Sequence, residues 1–554
     1  MSEATTTPEE VQVQEDDTAV TAADIESGVA ALAAALSGAN IEGVDEVKAF
    51  NVCKTEGNTF VKMEKYVEAL EKYDQAWNHA KSEDDRAMIL NNRGVVYEKT
   101  GDTEKALETF AEALKIKPEY IKVLIRRSLV NKKLGKFDEA MEDISEAQAL
   151  SMKQGQYVAG LQEATETLLV EYAETALKKI EATKTFGSLN HGLVRSFLRG
   201  FYCDPISRLW RGLDPFPPCE EAAKGDAKSG FPAAMNCMKE GKFEEAPAHC
   251  AVEIDTSDSK YRLEALLLRG SIDFLGGKKD EALADLNAII EDANASNEFK
   301  SCAHLKKAMV LNLWDSSEAT AAEFALAEEL WKENADIYYH AAVCLVDKGE
   351  PVPALALLER GMDLCSDPKK YPLLHVMGVT IKLSYDACTG DPKEAYDKLK
   401  QMEKDNIFDG PECHELYAQA LILFDGVDAA LAQFEMAKEV SGGEKLFALK
   451  KVMAQNMINT DPEATIKALS EYKDDPEVGN VALFHMGEQY LAMEKLEEGF
   501  EYLDKAVDAS NSVYDARLRV MGKVDMKYSL MMKDKLKEHG VNILPPQNRD
   551  VALE

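Results

Sequence analysis

The first 47 residues contain no lysine or arginine. A secretory signal needs a basic start and a mitochondrial transit peptide needs arginines, so neither is expected, and the chain is expected to begin in the cytosol. Long apolar runs are missing as well. GVAALAAALSGANI, starting at Gly28, has 14 residues and no basic flank, short of the roughly 18–20 that a spanning helix needs, so no bilayer-spanning segment is expected. Positive charge is scarce overall: 64 Lys and Arg stand against 99 Asp and Glu, a net charge of -35. That balance excludes general affinity for nucleic acid, which draws on neutralising phosphates with cations, and favours partners that are cationic, or neutral and apolar. Ten cysteines are scattered from Cys53 to Cys413 with no CxxC pair. They read as free thiols in a reducing compartment, mostly small apolar fillers. Catalytic signatures are absent too. LGGKKDEA, Leu275 to Ala282, lacks the GxxxxGK[ST] order of a phosphate loop, and the nine histidines form no HExxH. No GxSxG elbow occurs. The chain is therefore expected to be no enzyme, with no cofactor, no metal and no small-molecule substrate.

What is present is a repeat. With 554 residues, 45% of them hydrophobic and 29% charged, the chain has enough apolar surface for several structural units rather than one core. In YEKTGDTEKALETFAEALKIKP the order Tyr97, Ala106, Phe110, Ala113, Pro118 matches the second part of the tetratricopeptide (TPR) pattern, and Gly94 supplies its earlier small residue. Ala140 follows Ala106 by 34 residues, the length of that repeat. Gly57, Phe60, Ala69, Tyr73 and Ala76 mark a preceding unit. Each unit is expected to be two antiparallel helices that approach closely at the small residues, while Tyr73 and Phe110 fill the gap to the next pair. The register returns around Ala246, Ala282, Thr320, Ala354, Ala395, Ala430, Ala464 and Gly499.

The expected fold is thus all-α, an α-solenoid of TPR hairpins in two arrays. Residues 1–47 form an acidic, disordered tail; 48–200 an N-terminal TPR clamp domain closed by two capping helices, from Tyr157 and Leu189; 201–232 a Pro/Gly-rich linker; 233–546 a C-terminal TPR array; and 547–554 a tail.

A solenoid of this kind presents a concave surface made by the first helix of each pair. In the first unit Lys54 and Asn58, four apart, share one helix face; in the second, LNNRG places Asn92; in the third, YIKVLIRRS places Lys122 and Arg126, again four apart. Three cations and two carboxamides on one groove fit a peptide that ends in carboxylates. KTEGN, LNNR and YIKVLIRR resemble the dicarboxylate clamp of tetratricopeptide co-chaperones. The resemblance implies that Lys54, Asn58, Asn92, Lys122 and Arg126 hold the acidic EEVD tail of the cytosolic heat-shock chaperones of the seventy- and ninety-kilodalton classes.

A narrower resemblance covers about residues 48 to 546. The clamp, NHGLVRSFLRGFYCDPI, YRLEALLLRGSIDFLGGKKDEALADL, NADIYYHAAV, ELYAQALILF and LKEHGVNILPP occur in an order similar to that of the seventy-kilodalton preprotein import receptors of the mitochondrial outer-membrane translocase (TOM complex). It implies a receptor on the cytosolic face of that membrane, with mitochondrial preproteins and other translocase subunits as partners. In such receptors the later array takes the preprotein; Tyr339, Glu415 and Gln419 are the groove candidates for it here, and the acidic excess suits cationic cargo. Those receptors carry an N-terminal membrane anchor where this chain has its acidic segment, so a cytoplasmic location is the alternative. Three readings stay open: import receptor, soluble co-chaperone scaffold without a mitochondrial role, and accessory subunit of an enzyme.

Overall fold

The computed structural model describes residues 46–541, apart from 185, 187–188, 214–228, 257–258, 315–316, 425 and 457–460. Residues 1–45, residues 214–228 of the expected linker and the last 13 residues lie outside it. Every regular element among the described residues is an α-helix.

The chain divides into two compact units, residues 1–179 with 520–554, and residues 180–519. In the first, three hairpins follow one another: α1 (Glu46–Lys62) with α2 (Tyr66–His79), α3 (Glu83–Lys99) with α4 (Thr103–Ile116), and α5 (Ile121–Lys133) with α6 (Phe137–Gln154). A longer helix, α7 (Leu161–Glu181), comes next. The second unit opens with two short helices, α8 (His191–Arg199) and α9 (Pro205–Arg211). Eight hairpins follow. They are α10 (Gly230–Glu240) with α11 (Ala246–Ile254), α12 (Arg262–Leu275) with α13 (Lys279–Glu291), α14 (Asn297–Trp314) with α15 (Ser317–Leu330), and α16 (Ala335–Asp347) with α17 (Pro351–Leu364). After them come α18 (Pro372–Thr389) with α19 (Lys393–Lys404), α20 (Pro411–Phe424) with α21 (Val427–Val440), α22 (Lys445–Asn456) with α23 (Pro462–Leu469), and α24 (Gly479–Ala492) with α25 (Leu496–Asp508). The last helix, α26 (Val513–Glu538), contributes its residues from 520 onward to the first unit. The protein is an all-α tetratricopeptide solenoid.

Local chemistry starts and stops these helices where the sequence places capping residues. Ser82 and Asp85 form a reciprocal capping box at α3, and the Asp102 carboxylate accepts from the Lys105 N–H at the start of α4. The small residues at the crossings are there for space. A Cβ on Gly94 would fall 2.4 Å from Cε1 of Phe110, and one on Gly57 the same distance from Cε1 of Tyr73. Gly94→Ala gains about 1 kcal/mol of helix propensity but overpacks against a fully buried ring, at about 1–3 kcal/mol. The variant is expected to be less stable by about 1 kcal/mol in urea denaturation; a stabilised variant would show that the ring yields freely. Of the small residues that mark the later register, Ala464 is exposed and its neighbour Thr465 takes the buried position, a slip of one residue.

The hairpins are also pinned by ion pairs. Arg127 binds Asp143 with two N–H donors at 2.9 and 2.5 Å, and Arg269 binds Asp285 in the same way at 2.7 and 2.7 Å. Arg93 pairs with Asp74 at 2.6 Å. The two bidentate arginines join the two helices of one hairpin at a largely buried aspartate, and Arg93 joins one hairpin to the next.

The division of the chain differs from the expected one in three places. The helix starting near Leu189 does not cap the first array: α8 belongs to the second unit, where Val194 and Leu198 enter the apolar core. In the first unit α7 packs on α6, with Tyr172 stacked 5.0 Å from Phe137, and the far half of α26 lies there as well. Lys527 pairs with Asp138 at 2.6 Å, the Tyr528 hydroxyl donates to Gln148 at 2.6 Å, and His539 meets Glu146 at 2.7 Å. Covering the open end of a stack needs apolar and polar matches that only a distant segment supplies here. Third, residues 201–211 of the expected linker are largely buried, with Phe201 and Ile206 fully so.

One buried acid in the second unit carries a pH signature. Glu264, in the first turn of α12, is 4% exposed, and burial, with the charge of Glu253 adding, pushes its carboxyl up to about 7. Its folded value exceeds the unfolded one of about 4.3. The folded state therefore holds the proton more tightly, and stability is lost as pH rises from about 4.3 through 7. Glu264→Gln is expected to flatten that slope and to stabilise the protein above pH 7 by about 1 kcal/mol, the buried amide still costing something. Equal effects at pH 5 and pH 8 in urea titrations would contradict this.

Candidate functional site

The first helices of the three leading hairpins, α1, α3 and α5, carry the five expected clamp residues. Asn58 and Asn92 meet directly: Asn92 Nδ2 donates to Asn58 Oδ1 at 3.1 Å. The same oxygen accepts from the Tyr73 hydroxyl at 2.8 Å, and Asn91 Nδ2 donates to Asn92 Oδ1 at 3.2 Å. Lys54, one turn before Asn58, reaches across to α3, its Nζ 3.5 Å from Met88 Sδ and 5.5 Å from the centre of the Phe50 ring. No carboxylate pairs with it among the described residues. Lys122 is exposed on α5, and Arg126, one turn later, is half-buried.

Arg126 and Arg127 are adjacent in sequence and different in role. Arg127 is held by Asp143, whereas Arg126 makes no ion pair among the described residues. Its charge is felt by Tyr120, where burial pushes the phenol up while Lys117 and Arg126 oppose that rise. The structure thus joins Lys54, Asn58 and Asn92 through α1 and α3, and leaves Arg126 one turn from Lys122 on the third first-helix with an uncommitted guanidinium. Such a set offers donors and positive charge to a carboxylate-rich chain.

A tetratricopeptide-repeat family model matches residues 55–119. The mitochondrial import receptor subunit TOM70 of Homo sapiens is 22% identical over 465 residues, 83% of this chain and 76% of that protein. The TOM70 of Rattus norvegicus is 24% identical over 498 residues, 87% of this chain and 73% of that protein. This chain is a tetratricopeptide-repeat protein distantly related to TOM70-type import receptors. The TOM70 of Saccharomyces cerevisiae is 33% identical over a shorter stretch, 94 residues, 17% of this chain and 15% of that protein. Among solved structures, the crystal structure of yeast Tom70 aligns with 88% of this chain and 97% of its own, at 19% identity and a TM-score of 0.43.

In the second unit the expected groove residues are tied into the protein. Glu415 is paired with Lys450 at 2.5 Å and accepts from Gln419 at 3.3 Å. Tyr339 is half-buried, edge-on to His340 at 5.0 Å, and burial, with the nearby charges of Glu412 and Glu415, pushes its phenol well above the usual range. Only Gln419 of the three is exposed.

Sequence reasoning missed the residues that organise this unit. Helix α8 and the turn after it run past the first helices of several hairpins. Arg195 binds Glu444 at 2.9 Å and Glu477 at 2.8 Å; Arg199 binds Glu412 at 2.7 Å and Glu444 at 2.8 Å. Arg211 binds Asp409 at 2.7 Å, beside the Tyr202 hydroxyl on the same carboxylate. Burial alone would lower the Arg199 pKa, but its bonds to Glu444 and Glu412 outweigh it and raise it. These acids are therefore already paired with the chain's own arginines. A signal was available: two arginines four apart on an amphipathic helix, and three glutamates, Glu412, Glu444 and Glu477, each about one repeat from the next.

The α8–α9 turn is fixed more deeply still. The Asp336 carboxylate accepts the backbone N–H groups of Tyr202, Cys203 and Asp204 at 2.8, 2.8 and 3.1 Å. Lys306, 2% exposed, donates to Ser271 at 2.7 Å, pairs with Asp204 at 3.2 Å, and lies 5.2 and 4.8 Å from the ring centres of Phe197 and Phe201. A carboxylate, a hydroxyl and two ring faces thus offset the burial of this cation.

Among the described residues no group of three or more His, Cys, Asp or Glu side chains is arranged to hold a metal ion, and no helix is long and apolar enough to cross a membrane. The nine described cysteines are all free.

Proposed function

We propose that this protein is a receptor or adapter: its first array holds the acidic C-terminal tail of a cytosolic heat-shock chaperone of the seventy- or ninety-kilodalton class, and its second array takes the preprotein the chaperone delivers for mitochondrial import. The observation that carries the first half is the Asn58–Asn92 contact beside Lys54, together with cations at Lys54 and Arg126 that no carboxylate of the described residues claims. The distant relationship to TOM70-type import receptors supports the second half. In this reading the cargo is met by what α8 leaves uncovered, with Tyr339 and Gln419 as candidates, and other translocase subunits are partners on the cytosolic face of the outer membrane.

Two measurements separate the parts of this reading. Calorimetry with an EEVD-type peptide should show binding that weakens as salt rises, because the contact is ionic. Cell fractionation with carbonate extraction should find a pool on mitochondria. Protein that binds the peptide but never purifies with mitochondria would favour the alternative, a soluble co-chaperone scaffold without a mitochondrial role.

A further inference from the structure

Tyr73 is a core residue by position, 2% exposed, with its ring in the apolar cluster of Phe50, Ala69, Ala76 and Ile89. Its hydroxyl does something the core does not require. The ring lies flat against α1 because residue 57 is glycine; a Cβ there would be 2.4 Å from Cε1 and 2.7 Å from Cδ1. That close approach brings the hydroxyl to the next residue, where it donates to Asn58 Oδ1 at 2.8 Å. Asn92 Nδ2 donates to the same oxygen at 3.1 Å.

Two donors converging on one oxygen fix which way the Asn58 amide is turned. Its acceptor is used up inside the protein, and its Nδ2, bonded to nothing among the described residues, is the end left to a ligand. The Asn92 oxygen is likewise taken, by Asn91 Nδ2 at 3.2 Å. The chain Asn91, Asn92, Asn58, Tyr73 therefore occupies both acceptor positions of Asn58 Oδ1 and one of the two on Asn92 Oδ1. What remains for a partner is N–H, next to the ammonium of Lys54, and such a surface suits a group that only accepts, an ionised carboxylate.

On the reading of the first array as a carboxylate clamp, we propose that Tyr73 is a positioning residue for an acidic peptide. It sets the Asn58 amide with its donors outward, through a hydroxyl that Gly57 allows to reach it. Without that hydroxyl only the Asn92 N–H still holds the oxygen, and the amide turns more often to present its oxygen to the peptide's carboxylate.

Tyr73→Phe keeps the ring and removes only the hydroxyl. Calorimetry on the full chain with a peptide ending Glu-Glu-Val-Asp is expected to show about two- to tenfold weaker binding, the scale of one net hydrogen bond. In an Asn58→Ala background the same change is expected to have no effect, which a merely structural role would not produce. NMR of the peptide-free protein should show the Asn58 side-chain amide signals shifted in Tyr73→Phe. Equal peptide affinity of Tyr73→Phe and the parent protein overturns the role of Tyr73 and leaves the clamp standing. An undiminished loss in the Asn58→Ala background, or unmoved amide signals, also overturns it. A parent protein that binds no such peptide overturns the clamp reading and the role of Tyr73 together.

Discussion

Replacing Asp336 with alanine is expected to cost the second unit about 3–5 kcal/mol, the scale of removing one partner from a buried, charged hydrogen-bond cluster. The carboxylate is 2% exposed and is the acceptor for three successive backbone N–H groups, from Tyr202 to Asp204. Burial, only partly offset by those N–H groups, pushes it up to about 6, so at pH 7.5 it is still mainly ionised. Alanine leaves three buried N–H donors without the acceptor that now holds them. Loss of stability in urea should come with loss of amide-exchange protection at Tyr202, Cys203 and Asp204. If those three amides stay protected, the carboxylate does not anchor the turn and the account of α8 fails with it.

The second large effect is on binding. Arg126→Ala is expected to weaken association with an EEVD-type peptide by about 1.5–3 kcal/mol, the value of a hydrogen bond to a charged group, or roughly tenfold to more than a hundredfold. The physical reason is that Arg126 has no competing ion pair among the described residues, so its whole charge-assisted interaction is available to a ligand. Arg93 is the control. It carries the same charge on the first helix of the neighbouring hairpin but is already paired with Asp74 at 2.6 Å, and Arg93→Ala should leave affinity within about twofold, since exposed pairs contribute little. Arg126→Ala with unchanged affinity would remove the clamp; equal losses in both variants would point to net charge rather than to a placed contact. The parent protein's affinity should also fall with salt more steeply than that of Arg126→Ala.

The legible parts of this protein are those that repeat within a few turns of helix. Gly57, Gly94, Ala106 and Ala140 could be read as close-approach positions because Tyr73, Phe110 and their neighbours stand at fixed offsets from them, and all four are buried. Lys54 with Asn58, and Lys122 with Arg126, could be assigned to shared faces because four residues make about one turn. Where the spacing signal was weakest it slipped, as at Ala464, whose neighbour Thr465 is the buried one. The Pro/Gly content of residues 201–232 read as a linker for a sound local reason, since such residues end helices. Yet Pro205 sits at the first turn of α9, where a proline costs nothing, and Gly212 closes that helix in the left-handed conformation.

By itself, then, the sequence determined the helical repeat, the hairpin crossings and the set of residues on the first-helix faces, since each depends on side chains a few positions apart. Tertiary structure alone decided which arginine of the Arg126–Arg127 pair is spent on Asp143, which way the Asn58 amide faces, and where α8 goes. The partners of α8, from Glu412 to Glu477, lie more than 200 residues beyond it. The repeat spacing of these glutamates does not say which helix they meet at that distance; the contacts form because acids packed against the buried α8 need charged partners.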